Sequence, residues 1–228
     1  MTQSTGTLSV VATPIGNLED ISLRALRTLR EVDYILCEDT RVTGKLCTAH
    51  DISTPLKRYD AHTSDAVHEQ VLAELRSGTN VALVSDAGTP GISDPGVRLV
   101  ERARLDEVRI EAIPGASALT AAVSIAGLKG NQFTFLGYAP QKKGRQTFFH
   151  SLETYTHPVV FFESTHRIIK TLDAITAVLP DAPVILLKEL TKLHEMVFTG
   201  TASNIATELL STPAYQKGEF VVIVRPTV

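Results

Sequence analysis

The sequence is poor in the residues that announce metal, redox or phosphate chemistry. Its 228 residues include two cysteines, Cys37 and Cys47, with no C-x-x-C pair and no set of histidines beside them. That pattern argues against any metal site and leaves reduced, structural thiols as the expectation. No G-x-G-x-x-G follows the first apolar run, and Gly44-Lys45-Leu46 lacks both the Ser/Thr and the upstream glycine of a P-loop. A dinucleotide or nucleoside triphosphate is therefore disfavoured. Long apolar runs are also missing: the most apolar window, 118–128, is short and interrupted by Thr120 and Ser124, and Met1 to Gly6 carry no basic group. Neither a membrane span nor an export signal is supported, so a cytoplasmic protein is expected. Nor is there a surplus of positive charge. With 22 Lys and Arg against 25 Asp and Glu, the net charge is −3, which argues against holding nucleic acid by bulk electrostatics. The deficit is uneven: residues 1–115 carry 12 Lys and Arg against 17 Asp and Glu, whereas 116–228 carry 10 against 8. Any polyanion contact should lean on the second half or on local patches.

What is present is a fold pattern. Short apolar runs at 8–12, 34–37, 81–84 and 109–113 alternate with helical periodicity, the signature of βαβ units and a largely parallel sheet. Leu23, Leu26 and Leu29 share one helix face, with Arg24, Arg27 and Arg30 outward and Asp20 as the cap. Val67, Val71, Leu72 and Leu75 form a second stripe that Gly78 stops. After the Ala-rich helix 117–126, residues 127–131 read as a hinge, followed by strands at 132–136, 159–162, 184–187 and 220–224. Ile168, Leu172, Ile175 and Leu179 stripe a helix that Ser164 can cap. The length allows one large domain or two of about 100 to 120 residues, and the pattern fits two small α/β domains, 1–115 and 116–228, better.

Three strand ends carry Pro/Gly turns. The densest, 85–96, packs three Gly and two Pro into twelve residues; 12–18 and 113–118 follow the first and fourth runs. Punctuation explains any one of them. In an open α/β sheet, however, small ligands bind at the carboxyl ends of strands, where such loops let the backbone approach closely, so the three are candidates to line one pocket.

Polar groups cluster at strand ends as well. Glu38-Asp39-Thr40-Arg41 follows the second run, either as a functional group or as a local ion pair with a helix N-cap. Phe162-Glu163-Ser164-Thr165-His166-Arg167 repeats the arrangement in the second half, where His166 or Arg167 can meet a phosphate at a helix start. Lys188 to Glu195 follow another strand, equally readable as an exposed charged turn. Lys142, Lys143 and Arg145 form a compact basic loop, suited to phosphate backbone or to solubility.

Taken in order, Val11 to Asp20, Glu38 to Arg41, Ser85 to Gly96, Phe162 to Arg167 and Glu189 to Lys192 resemble the rRNA small-subunit methyltransferase I type of the tetrapyrrole methylase superfamily, over 8–224. Ala116 and Thr165 stand where that pattern usually has Pro. The resemblance implies two α/β domains with a cofactor cleft between them. It implies S-adenosylmethionine as cofactor, and as reaction the 2′-O-methylation of a cytidine ribose in the decoding region of 16S rRNA, within the 30S subunit, by a homodimer. Its cofactor positions map to Pro14, Ile15, Asp86, Gly88, Thr89, Ile92, Ser117, Ala118, Phe162 and Leu190. Asp39 and Glu163 are then the candidate bases for the hydroxyl proton, with Arg41, Arg167 and Lys188 as cationic partners. RNA contact falls to Lys142, Lys143, Arg145, His166 and Arg167. A superfamily enzyme for a small molecule or a protein side chain would share the cofactor loops but lack the charged turns. A non-catalytic cofactor sensor would have no use for acids and bases at the strand ends.

Overall fold

The computed structural model describes residues 5–92 and 96–226. The chain divides into two compact units, Met1–Ser117 and Ala118–Val228.

The first unit alternates strand and helix: β1 (Thr7–Val11), α1 (Leu23–Glu31), β2 (Tyr34–Cys37), α2 (Thr40–Ala49), β3 (Leu56–Arg58), α3 (Asp65–Arg76), β4 (Val81–Leu83), α4 (Gly96–Leu105) and β5 (Arg109–Ile113). Every pairing is parallel and the order is β3-β2-β4-β1-β5. Helices bury both faces, which is why β2 and β4 read as continuous apolar runs. Ala25 and Leu29 of α1 and Cys47 of α2 pack on Val11, Ile35 and Val84. On the opposite face, Val71, Leu72 and Leu75 of α3 with Leu99 and Ala103 of α4 pack on Leu8, Leu36 and Leu83. The chain thus leaves β1 and β2 toward one face and β3 and β4 toward the other. Since β4 lies between β2 and β1, their carboxyl ends open at the topological switch point, the preferred ligand position in such sheets.

The cap and stripe of α1 differ from expectation. Ser22, not Asp20, is the N-cap, its Oγ accepting from Ala25 N–H at 3.1 Å, while Asp20 ends a separate 3-10 turn. That turn rotates the helix start so that Ala25 takes the core position and Leu23 stands 86% exposed. Cys37 and Cys47 are buried free thiols, and burial pushes both pKa values up.

The second unit contains α5 (Ala118–Ile125), β6 (Thr134–Tyr138), α6 (Arg145–Ser151), β7 (Val159–Ser164), α7 (Ile168–Val178), β8 (Pro183–Lys188), β9 (Met196–Thr201), α8 (Ala202–Ser211) and β10 (Glu219–Val224). Its sheet order is β6-β7-β10-β8-β9. Only β6 and β7 run parallel; β10 pairs antiparallel with both β7 and β8, and β8 turns back into β9. The expectation of a largely parallel sheet therefore holds for the first unit and fails for the second. There, Lys188 ends β8 and the residues after it form the turn of the β8–β9 hairpin, in line with the charged-turn alternative. Residues 127–131, expected as a hinge, connect α5 to β6 inside the second unit. Helices α6, α7 and α8 cover one face of the sheet through Phe149, Leu172, Ile175, Ile205 and Leu209 on Phe161, Val222 and Leu186. Among the described residues, no helix is long and apolar enough to cross a membrane.

Leu29→Ala removes a side chain with no exposed surface at the centre of the α1 face and should cost about 2–5 kcal/mol in urea unfolding. Leu23→Ala should change stability by less than about 0.5 kcal/mol. Equal losses in the two variants would contradict this packing.

Candidate active site

At the carboxyl end of the first sheet, backbone hydrogen bonds stitch the loops together. Thr13 N–H donates to Gly88 O at 2.9 Å, and Gly88 N–H returns a bond to Thr13 O at 3.1 Å. The Thr13 hydroxyl donates to Ser85 O (3.1 Å), and the Ser85 hydroxyl to Gly88 O (3.2 Å). On the other side, Ala12 N–H donates to Ile113 O (3.1 Å) and Thr89 Oγ1 to Ala116 O (3.1 Å). Such closeness needs glycine. Gly88 has φ of +87°, and a Cβ there would sit 3.2 Å from Ile15 Cγ2; one on Gly115 would sit 3.1 Å from the Ala12 methyl. Pro14, Ile15, Gly88, Thr89 and Ser117 are thereby gathered at one sheet end, with Ile92 further along the β4 loop. Ser93, Asp94 and Pro95 of that loop lie outside the described residues. Ala118 opens α5 of the second unit.

The polar turn after β2, Glu38 to Arg41, joins the same group. Asp86 Oδ1 accepts from Asp39 N–H at 3.0 Å, tying the β4 loop to the end of β2. Asp39 is the N-cap of α2, accepting from Arg41 N–H (2.8 Å), and Arg41 also grips both carboxylate oxygens, with Nη2–Oδ2 at 2.6 Å. Hydrogen bonding from Arg41 holds the Asp39 carboxyl far below the usual carboxylate range. The cap, the ion pair and the strand-end position thus coexist in one residue.

Nothing in the sequence reading anticipated the pair behind this end. Tyr59 follows β3, its N–H donating to Cys37 O (2.8 Å), and its buried hydroxyl is hydrogen-bonded to His68 Nδ1 at 2.6 Å. Burial, and then the nearby Arg98, lower the His68 pKa from its ordinary 6.5; Arg102 adds to this, and Asp65 and Glu69 oppose it. A depressed folded pKa means that the folded state binds fewer protons than the unfolded chain. The resulting stability is fully present above pH 6.5 and is lost as pH falls through the folded pKa. Urea midpoints measured from pH 8 down to pH 5 should therefore decline below about pH 6.5, and His68→Gln should flatten that decline. An equal decline in the variant would remove His68 as its source.

In the second unit the structure corrects the role of Glu163. The residue is 1% exposed. Oε1 accepts from Ser164 N–H (2.7 Å) and pairs with Arg167 Nη2 (2.7 Å); Oε2 accepts from the Thr171 hydroxyl (2.6 Å) and pairs with Arg145 Nη1 (3.5 Å). A carboxylate that is itself buried and has both oxygens engaged has no face for a substrate proton, so Glu163 is an anchor rather than a base. Arg145 is also corrected. It is the first residue of α6, not part of a free loop, and it donates to Pro140 O (3.0 Å) as Arg167 donates to Ala139 O (2.7 Å). Ser164 does not cap α7; Arg167 occupies that position without a side-chain cap, and Ser164 Oγ accepts from Arg167 Nε (3.1 Å).

Strand register sorts the remaining residues. Phe220 is opposite both Glu163 and Lys188, so these three form a row on the helix-covered face, and Lys188 is buried there. Phe162, one residue along, takes the other face, with its ring against Phe135 (4.9 Å) and Tyr138 (5.4 Å). Lys142, Lys143 and His166 are exposed. Leu190 sits in a strained turn between Glu189 (φ 53°) and Thr191 (φ 66°). Lys192 bridges Glu189 and Glu219 at 2.9 Å each, and the buried Thr191 Oγ1 has no hydrogen-bond partner. Strain of this kind is held by its surroundings and tends to mark ligand sites. No sequence cue separates these two residues from an ordinary turn. Among the described residues, no group of three or more His, Cys, Asp or Glu is placed to hold a metal ion.

Glu163→Ala leaves two guanidiniums without their buried counter-ion, and should lower the unfolding free energy by about 3–5 kcal/mol in denaturant titration. A loss below about 1 kcal/mol would contradict the anchoring role.

The family model of tetrapyrrole (corrin/porphyrin) methylases matches residues 7–206. A ribosomal RNA small subunit methyltransferase I from Thermotoga maritima is 45% identical over 199 residues, 87% of this chain and 90% of the relative. The Xylella fastidiosa protein of the same name is 43% identical over 222 residues, 96% of this chain and 81% of the relative. Among solved structures, uroporphyrin-III C-methyltransferase from Thermus thermophilus, complexed with S-adenyl homocysteine, aligns with a TM-score of 0.65 at 18% identity, covering 96% of this chain and 97% of that one. At that identity the likeness shows the fold.

Proposed function

The chain belongs to the tetrapyrrole methylase family and, within it, to the ribosomal RNA small subunit methyltransferase I group, and from that membership we propose that it transfers a methyl group from S-adenosylmethionine to the ribose 2′-hydroxyl of a cytidine in the decoding region of 16S rRNA. The acceptor is presented by the 30S subunit, and the enzyme works as a cytoplasmic homodimer.

The observation that carries the reading is the stitched end of the first sheet. Its close-set backbone groups, small residues and the exposed acid Asp86 suit a ligand that is cationic at one atom and polar elsewhere. Pro14, Ile15, Asp86, Gly88, Thr89 and Ile92 would hold the cofactor there. When bound, the cofactor supplies an electrophilic methyl group on a sulfonium.

Asp39 is the group assigned to the hydroxyl proton. Its carboxylate is partly exposed, and its own N–H is bonded to Asp86, so it belongs to the same end of the sheet. Arg41 keeps it ionised but also makes it a weak base. Alignment of oxygen, methyl carbon and sulfur should therefore contribute more to the rate than proton removal.

The test is transfer of labelled methyl from S-adenosylmethionine to unmodified 30S subunits and to free 16S rRNA, with digestion to nucleosides. Label in 2′-O-methylcytidine, from 30S subunits in preference to free RNA, is the expected result. Asp86→Ala should weaken cofactor binding about tenfold or more by calorimetry. Asp39→Asn should bind cofactor normally and lose about 10² to 10⁴ in rate. Label in a base, or in a ribosomal protein, would overturn the assignment.

A further inference from the structure

The second unit has a groove of about 620 Å³ between the start of α6 and the later turns of α7. Resting on the RNA reading above, we propose that this groove takes one unpaired nucleotide of the RNA, other than the nucleotide that is methylated.

The volume falls within the range of small-molecule sites. The groove is lined by Lys142, Arg145, Phe149, Ala174, Ala177 and Val178, among others, and no carboxylate lines it. Glu153 Oε2 lies 3.6 Å from Nδ1 of His150, a residue of the groove. Beneath it, the single charge of Glu163 is outnumbered by Arg145 and Arg167, which leaves an excess of positive charge at the groove. This lies in the half of the chain where basic residues exceed acidic ones, 10 to 8.

The shape of the cationic wall favours a base over a simple anion. The Arg145 guanidinium lies over the Phe149 ring at 4.9 Å, and its nitrogens are committed to Glu163, Thr171 and Pro140 O. It is therefore a fixed plate backed by an aromatic ring, and guanidinium planes are stacking surfaces for unpaired RNA bases. Ala174, Ala177 and Val178 supply an apolar floor. Lys142 stands at the mouth, on a loop whose base is pinned by Arg145 on Pro140 O and by Arg167 on Ala139 O. A phosphate on Lys142 and a base on the floor are what a nucleotide offers. An acidic peptide would use the lysine but not the stacking plate.

Ala177→Trp fills the groove without changing charge, from an exposed helix position where thermal melting should match wild type. Binding of a short fluorescent single-stranded RNA is followed by anisotropy across salt concentrations, with poly-glutamate as the competing anion. Ala177→Trp should weaken RNA binding about tenfold, the loss of one stacked base, with an unchanged salt slope. Lys142→Ala should reduce the salt slope by about 0.7, one phosphate on a single strand. Wild-type RNA affinity in Ala177→Trp would overturn the proposal, as would an equal loss of poly-glutamate and RNA binding. If that happens while wild-type protein still methylates 30S subunits, only the groove is rejected. If wild-type protein methylates no RNA, both the function and the groove fall.

Discussion

Two reciprocal hydrogen bonds between Thr13 and Gly88 hold the first unit's functional end together. They join the loops after β1 and β4, the neighbouring strands whose outgoing connections leave to opposite faces of the sheet. Loops at such a place have no helix above them and would otherwise separate. The bridge, the Thr13 and Ser85 hydroxyls and the Asp86 contact to Asp39 satisfy their polar groups from within. A ligand bound there would meet a preformed surface and would not need to order it, which would reduce the entropy lost on binding. Glycine at 88 is a condition of this geometry, since both its φ and the Ile15 contact oppose a side chain.

The second unit solves a different problem with a charge. Glu163 stands in a row with Phe220 and Lys188 on the face that the helices cover. Burying a carboxylate is unfavourable unless it is paired and hydrogen-bonded, and here two arginines, a hydroxyl and a backbone N–H complete its shell. The same arginines reach on to the carbonyls of Ala139 and Pro140. One buried charge thus sets the start of α7, the start of α6 and the base of the basic loop. The pairing that makes Glu163 unsuited to proton transfer also orders the residues proposed to meet RNA.

The first unit was legible because its strands are buried on both faces and its helices on one. Apolar runs separated by amphipathic periods then map directly onto a parallel βαβ sheet, and the Pro/Gly turns mark the strand ends where ligands bind. The second unit was less legible. Antiparallel hairpins need no crossover helix, so β9 went unmarked and the turn before it read as a charged segment, and the six-residue β7 and β8 carry the same apolar signature in either direction.

At the level of single residues, the sequence by itself determined the family, the strand-end loops and a helix cap at Asp39 or Thr40, because each rests on local spacing and backbone preference. Tertiary structure alone decided that Glu163 is enclosed, that Arg145 belongs to a helix and a buried cluster, that Tyr59 meets His68, and that Leu23 faces water. The physical reason is the same in each case. Whether a side chain is solvated or paired depends on partners far away in sequence, such as Arg145 and Glu163, and composition and periodicity contain no term for such partners.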